Sequence, residues 1–270
     1  MKNRLFVIGA IIATLTPFAH KAEAHVPFLK PNLFHVIHNR FQIESAYTEL
    51  PFQADFAMDS PNFMMIDPNF NIVQLTPSFK TKAAVYLEPT ISIEGTYRIS
   101  TGVRKGPRYR GIQTTEGKKY FSDDTLRVKG QNILLQYYNS ADVYIYKGKS
   151  PNYKPNPLNK GVEIIPLTSP NQVKKGDKIT FRVLNEGKIV PNARIVVVYD
   201  NEHYEYHRKE DLYDVENTRK SNIYANAKGE FTFRPNRAGL VMLFVTIHKH
   251  IEGNLWDSYN TALTMEVILP

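Results

Sequence analysis

The feature that most constrains this chain is its spacing of breakers. Short runs rich in Val, Ile, Tyr, Phe and Thr, apolar throughout or alternating with polar residues, recur between clusters of Pro, Asn and Gly, and helical periodicity is scarce. Runs of this length and period fit strands. Candidate strands are Phe41–Tyr47, Ala83–Leu87, Ile91–Ile99, Ile133–Tyr138, Val143–Tyr146, Lys178–Leu184, Arg194–Asp200, Glu230–Arg234 and Leu240–His248. The expected class is therefore mainly β. With 42% hydrophobic and 22% charged residues in a chain of 270, disordered, collagen-like and coiled-coil classes are excluded. The 16 Tyr and 15 Phe provide ring volume for a large core.

The first 24 residues read separately. Lys2 and Arg4 precede an apolar run from Leu5 to Ala19, and Ala22-Glu23-Ala24 follows as a small-residue cleavage pattern. That run is shorter than the roughly 20 residues that span a bilayer, so it is read as a cleaved signal peptide, and the mature chain is expected to have no integral membrane segment. Removing Lys2, Arg4, Lys21 and Glu23 takes the net charge from +8 to +6. No Lys/Arg run exceeds two residues, so the charge reads as solvated surface and no nucleic-acid partner is expected. The absence of Cys excludes disulfides, thiolate metal sites, a Cys nucleophile and a lipobox anchor. An exported chain without Cys points to the bacterial periplasm.

The densest breaker cluster contains Pro151, Pro155 and Pro157 among Asn, Lys and Ser. It divides the mature chain into an irregular β-rich N-terminal domain, 25–150, a linker, 151–160, and a C-terminal domain, 161–270, long enough for an immunoglobulin-like or transthyretin-like β-sandwich. The basic, glycine-punctuated segment 102–119 reads as a long exposed loop or hairpin. In the C-terminal part, Asn226-Ala227-Lys228-Gly229 reads as a hairpin turn whose glycine takes positive φ, after which Phe231 and Phe233 share a face.

An ordered set of landmarks runs through this part. It comprises Gly161-Val162-Glu163-Ile164-Ile165-Pro166-Leu167, Val173-Lys174-Lys175-Gly176-Asp177, Val183 with Gly187 and Pro191, Ala193 before Ile195–Val198, Gly229-Glu230-Phe231-Thr232-Phe233, Ala238-Gly239, and His248. Together with His25-Val26-Pro27-Phe28-Leu29-Lys30-Pro31 these resemble the bacterial periplasmic domain-of-unknown-function family 4198, whose members are often labelled nickel- or cobalt-uptake-associated proteins. The chain departs from the family pattern at Ala225-Asn226, at Leu240, and across 201–222. The resemblance implies a role in metal uptake or homeostasis with an envelope metal transporter as a possible partner, a His at the start of the mature chain, and a ligand at His248.

Seven His remain once His20 leaves with the signal. Cleavage after Ala24 would give His25 a free amine beside its imidazole, and amine and Nδ1 together close a chelate ring on one ion, a histidine brace completed by another His. Nickel, cobalt and copper favour such nitrogen donors. Pro27 lacks a backbone N–H and stops chelation from continuing along successive amides. His248 and His250, two apart at the end of an apolar strand, share a face; His248 is the preferred partner of His25 and His250 the lesser one. Trp256 and Tyr259 could wall the site. His203, Glu205 and His207 would share a strand face, but their spacing lacks the general-base geometry of H-E-x-x-H, and an exposed charged loop is the plainer reading. His35 and His38 read as core or edge residues.

Enzyme motifs are missing. There is no G-x-S-x-G elbow and no phosphate-cradling or dinucleotide glycine motif, and Asp123-Asp124 would diverge on a strand. The expectation is a non-enzymatic, periplasmic protein holding a divalent nickel, cobalt or copper ion at His25, His248 and His250. The alternative is a metal-independent β-sandwich module that binds protein or glycan in the cell envelope.

Overall fold

A computed structural model describes residues 25–38, 40–121, 129–149, 152–200, 202 and 223–270. The first 24 residues, Asp123, Asp124, His203, Glu205 and His207 lie outside these. The secondary structure assigned to named elements is entirely strand. The first ten are β1 (Val26–Pro31), β2 (Ile43–Thr48), β3 (Phe56–Ala57), β4 (Met64–Ile66), β5 (Ile72–Gln74), β6 (Phe79–Lys80), β7 (Val85–Leu87), β8 (Gly95–Ser100), β9 (Arg104–Gln113) and β10 (Lys119–Phe121). They are followed by β11 (Gln131–Lys147), β12 (Val162–Pro166), β13 (Val173–Lys174), β14 (Ile179–Asn185), β15 (Lys188–Ile189), β16 (Arg194–Tyr199), β17 (Ile223–Tyr224), β18 (Glu230–Phe233), β19 (Gly239–Glu252) and β20 (Leu255–Ile268). The mainly β expectation holds.

Among the described residues the strands form three sheets. The largest runs β17-β16-β19-β20-β11-β8-β4-β5, with the β9–β10 hairpin attached to β11 and β13 to β20. Of the two readings of segment 102–119, loop or hairpin, the structure has the hairpin. A second sheet, β1-β2-β7-β6 with β3 on β2, and a third, β12-β14-β15 with β18 on β14, complete the set. The described residues of the proline-rich segment between β11 and β12 carry no strand. The chain on its two sides nonetheless shares the large sheet, because β11 and β20 pair in parallel from Leu134↔Leu255 to Val143↔Thr264.

The core follows from strand alternation. On β19, Val241, Leu243 and Val245 face a core shared with Ile164, Phe181, Val183, Phe231 and Phe233 of the third sheet. The intervening Met242 and Phe244 face the other way, onto Val26 and Phe28 of β1. A strand buried on both faces must be apolar at consecutive positions, which is what Leu240–Val245 supplies. Pro27 and Pro31 are tolerated because β1 is an edge strand, bonded to β2 alone. The third sheet is a β-sandwich layer with turns of the expected kind. Glu186 and Gly187 both take positive φ, 50° and 73°, between the paired Asn185 and Lys188, as a two-residue hairpin requires. Gly229 takes φ 69° and closes onto the Asn226 carbonyl at 2.9 Å, after which Phe231 and Phe233 are buried together.

A buried ionic junction ties the parts together. Arg98 of β8, 3% exposed, forms a two-point contact with Asp142 of β11, Nε to Oδ1 at 3.1 Å and Nη2 to Oδ2 at 2.8 Å. Nη2 also reaches Glu163 Oε1 of β12 at 3.0 Å, and Nη1 donates to the Asn156 carbonyl at 3.0 Å. Glu163 in turn accepts the backbone N–H groups of Leu158 and Asn159. Deep burial makes such a cluster costly to break, because removing one partner strands the opposite charge. Arg98→Met is expected to lower the unfolding free energy by about 3–5 kcal/mol, read as a fall in the urea midpoint. An unchanged midpoint would show that the cluster does not hold the halves together.

Candidate metal centre

His25 immediately precedes β1, and the β1–β2 ladder begins at Val26↔Thr48, so the next residue of β2's chain, Glu49, comes alongside the imidazole. The turn after β2 folds back through the Asp55 N–H bond to the Tyr47 carbonyl and the Glu49 N–H bond to Asp55 Oδ2. This brings a second carboxylate to the same nitrogen. His25 Nε2 lies 3.3 Å from Glu49 Oε1 and 3.8 Å from Asp55 Oδ2, with the His25 side chain only 6% exposed. Its ring meets Phe56 edge-on at 4.4 Å, and Phe56 rests on Tyr47 at 4.9 Å. In the neutral ring, an Nε2–H donated to Glu49 leaves Nδ1 as the lone-pair nitrogen. That is the tautomer a chelate through Nδ1 requires, and a carboxylate behind the non-ligating nitrogen is the usual support of a metal-bound His.

His248 and His250 occupy alternate positions of β19, paired with Ser258 and Trp256 of β20, so they share a face. They differ in what surrounds them. His248 Nδ1 is buried without a hydrogen-bond partner. Burial first, and the Lys119 ammonium second, push its pKa down to about 3, so the imidazole is neutral with a lone pair at physiological pH. Lys119 reaches this place from β10 and rests over the Trp256 ring at 3.8 Å. His250 is exposed, its Nε2 is 3.0 Å from the Gly253 carbonyl of the β19–β20 turn, and its ring is 4.8 Å from that of Trp256.

His25 and His248 lie on the same side of the large sheet. Val26 is buried in one cluster with Phe244, and His248 follows Phe244 by four residues, about 13 Å of strand, on the same face. Their immediate partners are different, Glu49 and Asp55 for one and the Lys119 environment for the other. Among the described residues, no group of three or more His, Cys, Asp or Glu side chains is arranged to hold a metal ion. The residues present fit a nitrogen-ligated ion in two respects, the orphaned buried Nδ1 of His248 and the carboxylate-backed ring of His25. A third nitrogen, the His25 α-amine, exists only in a chain cut after Ala24.

The remaining candidates are placed elsewhere. His35 stacks on Tyr146 at 4.5 Å beside the Val36 N–H bond to the Tyr146 carbonyl. His38 Nδ1 accepts the Arg40 N–H at 3.2 Å, on an open cleft that Glu88 also lines. Trp256 packs beside the Ile133, Leu135 and Tyr137 cluster, while Tyr259 stacks on Tyr138 at 4.8 Å, a pairing on the opposite face of β20. Glu49 and Asp55 had no signature in the sequence. Both follow from the β1–β2 register and the turn after it, and only that register would have pointed to them.

The His248 environment makes a prediction about pH. Its folded pKa lies below the unfolded value near 6.5, so the unfolded state binds the proton first. Metal-free wild-type protein is therefore expected to lose stability as pH falls from about 6.5 toward 3, and more steeply than His248→Asn over the same window, in urea melts at half-unit pH steps. Parallel slopes would show that His248 is not held neutral.

Among known proteins, the domain-of-unknown-function family DUF4198 matches residues 22–249. No curated protein matches the chain. Among solved structures, a tetra-tandem repeat in the extending region of a large adhesion protein covers 89% of this chain and 74% of its own, with 11% identity and a TM-score of 0.20. So low a score carries no structural argument. No helix among the described residues is long and apolar enough to cross a membrane.

Proposed function

The chain belongs to domain-of-unknown-function family 4198, and from this premise we propose that it is an exported periplasmic protein that binds one divalent nickel, cobalt or copper ion for uptake or homeostasis. The observation that carries the reading is the setting of His25, a nearly buried imidazole whose Nε2 is backed by Glu49. In the mature chain, His25 contributes its α-amine and Nδ1, Glu49 and Asp55 fix the ring and its tautomer, and the lone-pair nitrogen of His248 supplies a further donor. His250 is the lesser ligand, already engaged by a turn carbonyl. Neutral nitrogen donors suit borderline divalent ions. The bound ion is cargo, delivered to or received from an envelope metal transporter, and no catalytic step is assigned to the protein. Because the amine must lose its proton, with a reference pKa of roughly 7.7, affinity rises as pH climbs through that range.

Native mass spectrometry of protein purified from the periplasm tests this directly. The expected species begins at His25 and takes up one nickel, cobalt or copper ion, and His25→Ala or His248→Ala abolishes uptake. Glu49→Gln is expected to weaken binding by about 10–100-fold, the usual cost of losing a carboxylate that orients a ligand. A chain beginning elsewhere, or one that stays metal-free in titrations with all three ions, would overturn the reading.

A further inference from the structure

A cleft of about 450 Å³ opens where the two parts of the chain meet, away from His25 and His248. Its wall comes from the β4–β5 turn (Asp67, Phe70), from Thr96 and Arg98 of β8, from Tyr144 of β11, and from the segment Asn152–Asn156 that crosses toward β12. This volume is at the smaller end of the roughly 300–1,000 Å³ typical of small-molecule sites, which favour such junctions.

Three observations mark it as a built site. The Tyr144 side chain is buried, and its hydroxyl has only the Tyr153 hydroxyl beside it, which itself donates to the Pro166 carbonyl at 2.6 Å. A buried hydroxyl with so little to bond to is uncommon in a folded protein. Phe70 at the mouth has φ 66°, an uncommon conformation for a bulky residue, and leaves its ring 46% exposed. The turn is pinned in that shape by Asp67, whose carboxylate accepts the N–H groups of Asn69 and Asn71 and the Asn71 side-chain amide, at 2.8, 2.9 and 2.8 Å.

The charged groups in the wall are hydrogen-bonded within the protein. Arg98 is taken by Asp142, Glu163 and the Asn156 carbonyl, and Asp67 by its turn. Burial raises the Tyr144 pKa to about 12 and that of Tyr153 further, so both phenols stay neutral. Three aromatic rings, neutral hydroxyls and side-chain amides remain, with Lys154 exposed to solvent. Apolar ring faces beside hydroxyls, side-chain amides and the Asp67 carboxylate match a polyhydroxylated ring, which presents C–H groups on its faces and hydroxyls around its edge. We propose that this cleft binds a neutral sugar of one or two units, with Phe70 and Tyr153 meeting its ring faces and the Tyr144 hydroxyl, Thr96, Asn152 and Asn156 its hydroxyls.

Calorimetric titration of the full mature chain with glucose, N-acetylglucosamine, maltose and cellobiose, and with tetramethylammonium as the cationic contrast, tests the assignment. At least one sugar is expected to bind saturably at one site. Phe70→Ala and Tyr144→Phe should each weaken it by about three- to tenfold, the loss of one ring contact or one hydrogen bond. Tyr144→Phe should melt close to wild type, since it leaves the Tyr153 bond to the Pro166 carbonyl in place, and His25→Ala should bind sugar normally, separating this site from the metal. Failure of all four sugars to bind at tens of millimolar, binding of tetramethylammonium in their place, or sugar binding unchanged in both cleft variants would overturn it.

Discussion

The parallel ladder between β11 and β20 joins strands more than a hundred residues apart in the chain, and most of what the molecule does structurally depends on it. With β19 and β8 bonded on either side, the ladder produces one sheet that is buried on both faces. One face receives the third sheet as a sandwich layer; the other receives β1. Parallel pairing between distant strands is late and entropically costly to form, so the fold invests in holding it. The Arg98 cluster is part of that investment, drawing β8, β11, β12 and the crossing segment onto one guanidinium. Buried side-chain pairs along the ladder do the same at shorter range, as where Ser140 donates to Thr261 at 3.0 Å.

The sheet also explains why both proposed sites lie where they do. β1 is placed by its apolar residues Val26 and Phe28 against Phe244 and Ala262. This fixes the residue just before it, His25, and the β2 register then brings Glu49 to its ring. The sugar cleft sits on the opposite logic, a junction that the crossing segment covers incompletely. There the buried cluster supplies a hydrogen-bonded wall, and the Tyr144 hydroxyl marks where the packing stops.

Strands whose pattern is local were legible in the sequence. Lys178–Leu184, Arg194–Asp200 and Glu230–Arg234 correspond closely to β14, β16 and β18, and the Asn226–Gly229 turn follows from its residue types. Two features were hidden. Ile133–Tyr138 and Val143–Tyr146 are one strand, β11, because the polar residues Asn139, Ser140 and Asp142 that appear to interrupt it are buried and answered by Tyr47, Thr261 and Arg98 from elsewhere in the chain. β1 was hidden by its two prolines, which an edge position accommodates. Of the candidate site, the shared face of His248 and His250 could be read from alternation alone. The carboxylates behind His25 and the depressed pKa of His248 could not, because each is made by chain that is distant in sequence or brought in by a turn.

The most direct test is long-range ¹H–¹⁵N NMR of the His25 ring in protein that begins at His25, recorded before and after addition of diamagnetic zinc. The metal-free ring is expected to carry its proton on Nε2, toward Glu49, and zinc is expected to shift the Nδ1 resonance while Nε2 stays protonated. A proton resting on Nδ1, or zinc that leaves Nδ1 unperturbed, would contradict a metal site organised by the carboxylates behind His25.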